Sequence, residues 1–313
     1  MSVKVFIDGS SGTTGLRIAD RLAQRPEIEL LSISAEGRKD ANERAKVINS
    51  ADLAFLCLPD AASKEVMPLL RPDVKVLDTS TAFRTDAAWD YGFPELAGQK
   101  EKIQKSYRVA VPGCYASGFI SIARPLVELG LAPADYPFSC TGISGYSGGG
   151  KKMIAEYESA DRPVHSKLDA PKSYGLGLAH KHLPEMQKIS GLAHTPMFVP
   201  VVCDYYCGMQ VLVPLDLTLA GSTAEQVAEG IAAYYKDAAT VKVHALNEAL
   251  PENGLYSNAM AGTDRMELYM TVNAAGDQMM LVSLFDNLGK GSSGAAVQCM
   301  NLMLGLEETE GLE

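Results

Sequence analysis

Val3-Lys4-Val5-Phe6-Ile7-Asp8-Gly9-Ser10-Ser11-Gly12-Thr13-Thr14-Gly15 is the stretch that decides the fold, a short β-rich run followed by glycines at every third position. Apolar residues then recur at helical spacing from Leu16 to Ala23, which predicts a strand, a tight turn and a helix in succession. A glycine-rich turn at this place lets a pyrophosphate approach the backbone and the unpaired amides of the helix. A simple Gly/Ser connection would give the same pattern.

The chain downstream of this turn alternates strands and helices up to about residue 80. Residues 28–33, 53–58 and 74–77 predict further strands, and residues 60–70 predict a helix. The third strand is almost wholly apolar, as expected for a strand that is covered on both faces. Repeated strand–helix–strand units predict an α/β domain with a Rossmann-type, doubly wound parallel sheet.

The second half of the chain predicts an α+β domain with a mixed or antiparallel sheet. We expect a helix over residues 114–129 that Pro125 kinks or splits. Ser222 and Glu225 predict a capping box for a later helix whose apolar face holds Val227, Ile231 and Tyr234. The other predicted elements are a glycine-rich loop over residues 142–150, strands over 210–213, 216–219, 266–272 and 279–285, and a final helix over 292–304.

The composition restricts the class of protein. A chain of 313 residues with 47% hydrophobic and 21% charged residues has the length and balance of a two-domain globular protein. Its formal net charge of −10 repels nucleic-acid phosphates on average, so we expect no nucleic-acid partner. The sequence shows no secretion signal and no apolar run of bilayer length, so we expect a cytoplasmic protein with no membrane association.

The cysteines do not form a recognisable scaffold. They stand at positions 57, 114, 140, 203, 207 and 299, and their spacing differs from that of a disulfide framework. Cys203 and Cys207 would suit half of a zinc site, but no second Cys/His pair stands at the matching distance. We therefore expect thiols and no metal.

The residues after the second predicted strand indicate which dinucleotide binds. An acidic side chain at this place binds the ribose diol of NAD, whereas basic side chains accept the 2′-phosphate of NADP. Ser34, Arg38 and Lys39 favour the phosphate and Glu36 opposes it, so NADP(H) is the preferred cofactor. The predicted cofactor-binding residues of this half are Gly9, Ser11, Gly12, Thr13, Thr14, Gly15, Ser34, Arg38, Lys39 and, at the end of the third strand, Leu58 and Pro59.

Cys114 follows Pro112-Gly113 and stands at the start of a predicted helix. The aligned peptide dipoles and unpaired amides there favour a thiolate and support an oxyanion beside it. The alternative is an ordinary small residue at a helix cap. The sequence thus makes Cys114 a candidate nucleophile.

A nucleophilic thiol needs a proton partner, and His180 and His182 are the candidates. Glu185 follows His182 by three residues, so one helical turn would bring the carboxylate to the imidazole. A histidine oriented by a carboxylate is an arrangement that general acid–base catalysis uses. A solvated His/Lys/Glu loop is the alternative.

The pairing of Pro112-Gly113-Cys114-Tyr115 with His180-Lys181-His182-Leu183-Pro184-Glu185 resembles the N-acetyl-gamma-glutamyl-phosphate reductases of the arginine pathway. These enzymes form part of the larger aspartate-semialdehyde dehydrogenase group. The resemblance covers nearly the whole chain and looks like the shorter subgroup. Further matching segments are Ser80-Thr81-Ala82-Phe83-Arg84, Gly142-Ile143-Ser144-Gly145 and Asp286-Asn287-Leu288-Gly289-Lys290-Gly291.

The resemblance implies NADPH-dependent reductive dephosphorylation of an acyl phosphate through a cysteine thioester. It implies a dinucleotide-binding domain of residues 1–113, completed by a C-terminal helix 291–313, and a catalytic and dimerisation domain of residues 114–290. The partners would be the acyl phosphate, inorganic phosphate and other copies of the chain, as a homodimer or homotetramer. The implied roles are Cys114 as nucleophile, His182 as acid–base residue oriented by Glu185, Arg84, Ser117, His180, Ser144 and Lys151 as substrate-binding residues, and Asn287 beside the nicotinamide.

Several alternatives stay open at the level of sequence. His180 and His182 are not separated as acid–base residue. Arg84 and Lys151 would also suit an exposed surface, and Asn287 a simple turn. Another acyl-phosphate reductase such as aspartate-semialdehyde dehydrogenase uses the same chemistry, and a non-catalytic NADPH-binding sensor would keep the same fold.

Overall fold

Strands and helices alternate through the first third of the computed structural model, which describes residues 2–313. In chain order these elements are β1 (Val3–Asp8), α1 (Thr13–Leu22), β2 (Ile28–Leu31), α2 (Ala41–Ser50), β3 (Leu53–Leu56), α3 (Asp60–Val66), β4 (Lys75–Asp78), β5 (Asp90–Tyr91), α4 (Gln99–Lys105) and β6 (Arg108–Ala110).

Longer strands and an antiparallel arrangement follow. The elements of this part are α5 (Cys114–Glu128), β7 (Ser139–Gly145), α6 (Gly150–Tyr157), β8 (Lys172–Ser173), α7 (Leu183–Ser190), β9 (Met197–Cys203), β10 (Met209–Asp216), α8 (Leu217–Ala220), α9 (Ala224–Tyr234), β11 (Val241–Val243), β12 (Met266–Val272), β13 (Gln278–Phe285) and α10 (Gly294–Leu304).

The described residues form two compact units. The first contains residues 2–94, 98–113 and 292–312, and the second contains residues 95–97, 114–291 and Glu313. Each unit has its own sheet.

The sheet of the first unit is parallel and has the strand order β2-β1-β3-β4-β6-β5. Its two faces are covered by different helices. Ile18 and Leu22 of α1 pack in one core together with α10, and Ile48 of α2 and Val66 of α3 pack in the other. The predicted doubly wound sheet is therefore confirmed, and helices on both faces explain why β3 is apolar throughout.

The sheet of the second unit is mixed, with the order β11-β12-β13-β10-β7-β9-β8. The pairs β11–β12 and β7–β9 are parallel, whereas the remaining pairs are antiparallel. Helix α5 lies against this sheet through Gly118, where a Cβ atom would stand only 2.5 Å from Val211 and 2.7 Å from Ser283. The close approach of the helix to the strands requires a glycine here.

Helix α5 runs as one element from Cys114 to Glu128, so Pro125 does not split it. Proline lacks the amide that would donate to the carbonyl four residues earlier, which belongs to Ser121. The hydroxyl of Tyr235 donates to that carbonyl at 2.8 Å instead. The side chain of the residue that caps the end of α9 thus replaces the missing backbone donor.

Three further local predictions are corrected. Residues 142–145 are not part of a loop but the end of β7, and only Tyr146–Gly149 form a turn, as one 3-10 helix. The predicted strand over residues 216–219 is instead the end of β10 followed by α8, whose first turn Asp216 caps by accepting from the Leu219 amide. The capping box of α9 uses Thr223 and Gln226 rather than Ser222 and Glu225.

No helix within residues 2–313 combines the length and the apolarity that crossing a bilayer requires.

Candidate active site

Cys114 is the first residue of α5 and is partly exposed. The helix behind it is almost entirely buried, which fixes the position of its amino-terminal end. Thiolates are favoured at such helix starts because the peptide dipoles point their positive ends at the sulfur. All six cysteines, each within the described residues, carry thiols rather than disulfides.

Tyr115 organises the surroundings of Cys114. Its hydroxyl donates to the Val201 carbonyl at 3.2 Å and accepts from the Tyr174 hydroxyl at 3.4 Å. Gly142 leaves room for the ring, because a Cβ atom there would stand 2.4 Å from the Tyr115 Cδ1. Burial, and then the neighbouring Tyr174 and Cys114, raise the pKa of Tyr115 well above its ordinary value of 10. The phenol therefore stays protonated at neutral pH.

Both candidate histidines meet the Tyr115 ring. The centroid of His180 lies 5.9 Å from that ring and the centroid of His182 lies 6.1 Å from it. The two imidazoles are 4.7 Å apart and nearly perpendicular, and Phe198 contacts the His180 ring edge-on at 5.1 Å. The structure thus gathers the histidine pair beside the residue that follows Cys114.

The state of His180 is set by its hydrogen bond and its burial. Its Nδ1 accepts from the His182 amide at 3.2 Å, so the ring proton of the neutral form lies on Nε2,. Burial, with a smaller contribution from Lys181, lowers the pKa of His180 to about 4. His180 is therefore neutral at neutral pH and carries a hydrogen-bond donor at Nε2.

His182 and Glu185 occupy the first turn of α7. His182 is the N-cap residue and Glu185 is the third helical residue, and both are buried. A carboxylate is stabilised in the first turn of a helix by the amides and dipoles there. His182 and Glu185 therefore lie in the same turn of one helix, and the contact between the imidazole and the carboxylate stays a prediction.

A second group of polar residues lies where β7 and β13 end and β10 begins. Asn287 is buried, accepts from the Gly208 amide at 2.9 Å and donates to the Ser147 hydroxyl at 3.0 Å. Ser144 is also buried, and its hydroxyl donates to the Gly145 carbonyl at 3.0 Å. Asn287 therefore holds the turn over residues 146–149, while its contact with a nicotinamide stays a prediction.

The remaining predicted substrate residues differ in their surroundings. Ser117 is buried in α5, and Lys151 is exposed in the first turn of α6. Arg84 belongs to the first unit, where its Nε donates to the Val111 carbonyl and its Nη2 to the Thr79 carbonyl, each at 3.0 Å. Two backbone acceptors thus hold the guanidinium of Arg84 in one orientation.

The glycine turn of the first unit has the geometry of a phosphate cradle. Gly9 has a φ of +90°, and a Cβ atom there would stand 2.3 Å from the Cys57 carbonyl oxygen. A Cβ atom at Gly15 would stand 2.5 Å from the Gly9 oxygen. Gly12 is the N-cap of α1 and offers no side chain to the helix amides, and the first turn, which includes Thr13 and Thr14, contains no acidic residue. Glycine is required at both tight positions, and the helix start is left open to an anion.

The other predicted cofactor residues surround this turn or follow β2. The side chain of Leu58 comes within 3.2 Å of the Cβ position at Gly9, and Pro59 is the N-cap of α3. Thr14 exchanges a hydrogen bond with Ser292 at 3.0 Å. Beyond β2, Ser34 is exposed and its hydroxyl accepts from the Gly37 amide at 3.0 Å. The short helical turn Gly37–Lys39 then carries the exposed Arg38 and Lys39.

Sequence reasoning missed Tyr115, Tyr174, Phe198 and Ser147 as parts of the site. Tyr115 had a signal, because it follows the candidate nucleophile directly. Tyr174, Phe198 and Ser147 had none, since they reach the site from separate segments. Within residues 2–313, the structure contains no group of three His, Cys, Asp or Glu side chains suited to a metal.

Both units match a known family of domains. Residues 4–106 match the NAD binding domain of semialdehyde dehydrogenases, and residues 114–287 match their dimerisation domain. Each match covers the greater part of one of the two sheets. The nicotinamide dinucleotide expected at the glycine turn agrees with the first of these matches.

Curated relatives are similar over nearly the whole chain. The N-acetyl-gamma-glutamyl-phosphate reductase of Trichormus variabilis is 46% identical over 318 residues, which cover 99% of each chain. The enzyme of the same name from Burkholderia cenocepacia is 47% identical over 305 residues, which cover 96% of this chain and 97% of the relative.

Solved structures share the architecture at lower identity. The aspartate semialdehyde dehydrogenase of Francisella tularensis has a TM-score of 0.71 and 15% identity, and covers 96% of this chain and 100% of its own. The aspartate semialdehyde dehydrogenase II of Vibrio cholerae has a TM-score of 0.68 and 17% identity, with coverages of 97% and 99%. At such identities the likeness shows the fold alone.

Proposed function

The chain belongs to the N-acetyl-gamma-glutamyl-phosphate reductase family, and we propose that it converts N-acetyl-gamma-glutamyl phosphate to N-acetyl-glutamate 5-semialdehyde and inorganic phosphate in arginine biosynthesis. The observation that carries the proposal is the position of Cys114. A partly exposed thiol begins a buried helix, and the next residue, Tyr115, contacts both His180 and His182. This arrangement suits covalent catalysis on an acyl group.

Cys114 forms the covalent bond. Its thiolate attacks the acyl carbon of the substrate, a carbon–sulfur bond forms, and the carbon–oxygen bond to phosphate breaks with the electron pair leaving on the phosphate. The product on the enzyme is a thioester. A thioester accepts hydride more readily than a carboxylate does, and this is why the reaction passes through a covalent intermediate.

The protein is suited to hold NADPH, which supplies the hydride that brings the acyl group to the aldehyde level. The glycine turn with its open helix start would hold the pyrophosphate, since Gly9 and Gly15 exclude any side chain from the turn,. Exposed Ser34, Arg38 and Lys39 would hold the 2′-phosphate and favour NADP over NAD,.

His182 is the residue that moves protons. It takes up the thiol proton when Cys114 becomes a thiolate, and it returns a proton to the sulfur when the carbon–sulfur bond of the reduced intermediate breaks and the semialdehyde leaves. Its place at the N-cap of α7, with the buried Glu185 one turn ahead, supports this role,. His180, neutral at physiological pH, donates from Nε2 to the acyl oxygen.

The other polar residues hold the substrate. Arg84 binds the substrate carboxylate, for which its held guanidinium is suited,. In the second unit, Ser117, Ser144 and Lys151 would bind the acyl phosphate, and Asn287 would contact the nicotinamide amide.

The assembly and location expected from the sequence belong to the same proposal. The match of residues 114–287 to a dimerisation domain supports a homodimer or homotetramer. The six thiols are consistent with the reducing cytoplasm,.

Kinetics with matched cysteine variants test the proposal. We expect phosphate-dependent reduction of NADP+ with N-acetyl-glutamate 5-semialdehyde and little with aspartate semialdehyde. Cys114→Ser should lower kcat by about a thousandfold or more and leave the Kd for NADPH within about twofold. Cys203→Ser removes another partly exposed thiol of the same unit and should keep full activity. Turnover of Cys114→Ser within tenfold of wild type, or a preference for aspartate semialdehyde, would overturn the proposal.

A further inference from the structure

A single π-helical turn, Gly289–Ser293, precedes α10. Such turns are rare and concentrate at functional sites. Gly291 in this turn lies against Cys114, because a Cβ atom at Gly291 would stand 3.0 Å from the Cβ of Cys114 and 3.1 Å from the Asp286 carbonyl. The backbone of the turn therefore limits the space beside the candidate nucleophile.

A buried ion pair holds this π-helical turn in place. Lys290, the residue before Gly291, donates from Nζ to Oε1 of Glu95 at 2.7 Å, and the two side chains are only 2% and 1% exposed. The Thr240 hydroxyl donates to the same carboxylate oxygen. A charge buried this deeply stays in place only beside its counter-charge, so the lysine side chain is locked.

The start of the turn is fixed independently. The Asp286 carboxylate accepts from the Gly262 and Leu288 amides, each at 2.7 Å, and the Asp286 carbonyl accepts from the Gly291 amide at 2.9 Å. Gly289 meets the Thr263 carbonyl so closely that a Cβ atom would stand 2.0 Å away. Backbone contacts therefore hold one side of the turn, and the Lys290 side chain holds the other.

We propose that Glu95 and Lys290 form a positioning pair, which fixes the π-helical turn so that Gly291 confines the Cys114 side chain in its reactive orientation. The inference rests on the proposed function only in taking Cys114 as the nucleophile. The pair acts through Gly291, and its charges balance each other rather than a reacting group. A thiol displaced by about an ångström loses about a hundredfold in rate without losing its substrate.

Kinetics of Lys290→Met, Glu95→Gln and Lys290→Arg test the pair. We expect kcat to fall by about a hundredfold in the first two variants, with KM within about threefold, and to recover at least tenfold in Lys290→Arg. The shape of the pH profile should stay that of wild type, because the pair acts on the position of the thiol and not on the proton transfers of the reaction. The double variant should be no slower than the slower single variant, since the pair acts as one unit. Loss of one limb of the pH profile, or single effects that multiply in the double variant, would overturn the inference.

Alkylation of Cys114 by iodoacetamide in the enzyme without substrate provides a readout that does not need turnover. We expect the alkylation rate in Lys290→Met to differ at least about threefold from that of wild type, because the π-helical turn beside the sulfur has moved. The control is Arg44→Met, which breaks the buried Arg44–Asp8 pair of the first unit, at 2.8 Å, and should leave the alkylation rate unchanged. Equal rates in wild type, Lys290→Met and Arg44→Met would overturn the inference. If wild type alkylates at Cys114 but shows no phosphate-dependent turnover, the proposed function fails while this comparison still decides the inference.

An apolar replacement covers the case in which a single variant does not fold. Glu95→Leu combined with Lys290→Met removes both charges, and such replacements commonly retain stability. We expect this variant to unfold within a few degrees of wild type and to lose at least about tenfold in kcat. Wild-type kcat in this folded variant would overturn the inference.

Discussion

Tyr235→Phe tests how helix α5 tolerates Pro125. Pro125 lies inside the helix and is buried, and the Ser121 carbonyl that it deprives of an amide accepts from the Tyr235 hydroxyl at 2.8 Å. Tyr235 is itself 3% exposed. Removal of its hydroxyl leaves a buried carbonyl without this donor, and solvent does not readily replace it.

The expected loss follows from this contact. A buried carbonyl that loses its donor costs about 1–3 kcal/mol, which corresponds to about 2–12 °C in Tm for a unit of this size. Pro125→Ala restores an amide to the Ser121 carbonyl, so Tyr235→Phe in that background should cost about 1 kcal/mol or less. Pro125 lies eleven positions after Cys114 in the same helix, which is about 16 Å at the helical rise. All these variants should therefore keep the wild-type kcat.

Thermal and urea unfolding of the single and double variants measure this coupling. Tyr256→Phe is the control, because Tyr256 is 65% exposed and its hydroxyl makes only a 3.4 Å contact with Glu252; it should change the free energy of unfolding by less than about 0.5 kcal/mol. The reasoning is refuted if Tyr235→Phe costs the same with alanine at position 125 as with proline.

Three other predictions concern the site. Gly142→Ala places a Cβ atom 2.4 Å from Tyr115 and should lower kcat at least about tenfold. The control Gly177→Ala places its Cβ atom in open space and should change kcat and KM less than twofold. Similar kcat values for the two variants would show that the position of Tyr115 is unimportant. Arg38→Ala should raise the KM for NADPH by about 10–100-fold and leave that for NADH unchanged, and an unchanged KM for NADPH would exclude Arg38 as a phosphate ligand. His180 has a pKa of about 4 in the folded chain, against an ordinary 6.5, so the unfolded chain binds more protons between these values and stability should fall as pH drops from 6.5 towards 4. His180→Asn should remove that part of the fall, as read from Tm against pH, and parallel Tm curves for the two proteins would contradict the assignment.

Local sequence determined the parts of this protein that depend on neighbours along the chain. The turn Gly9–Gly15, the apolar strand β3, the helix start at Cys114 and the spacing of His182 to Glu185 each have a periodic or positional signature. Such signatures survive in the structure because backbone sterics, helix dipoles and the pleat act over a few residues. The parallel sheet and the candidate nucleophile were therefore predictable.

Only the tertiary structure decided which distant residues meet. The Tyr235 hydroxyl donates to a carbonyl 114 positions away, and Lys290 pairs with a carboxylate 195 positions away. The same is true of Gly142, whose strand conformation follows from pairing and from the Tyr115 ring rather than from its own preference. Contacts of this kind depend on burial and hydrogen-bond satisfaction between segments, which leave no period in the sequence, and so the surroundings of Cys114 were fixed by packing.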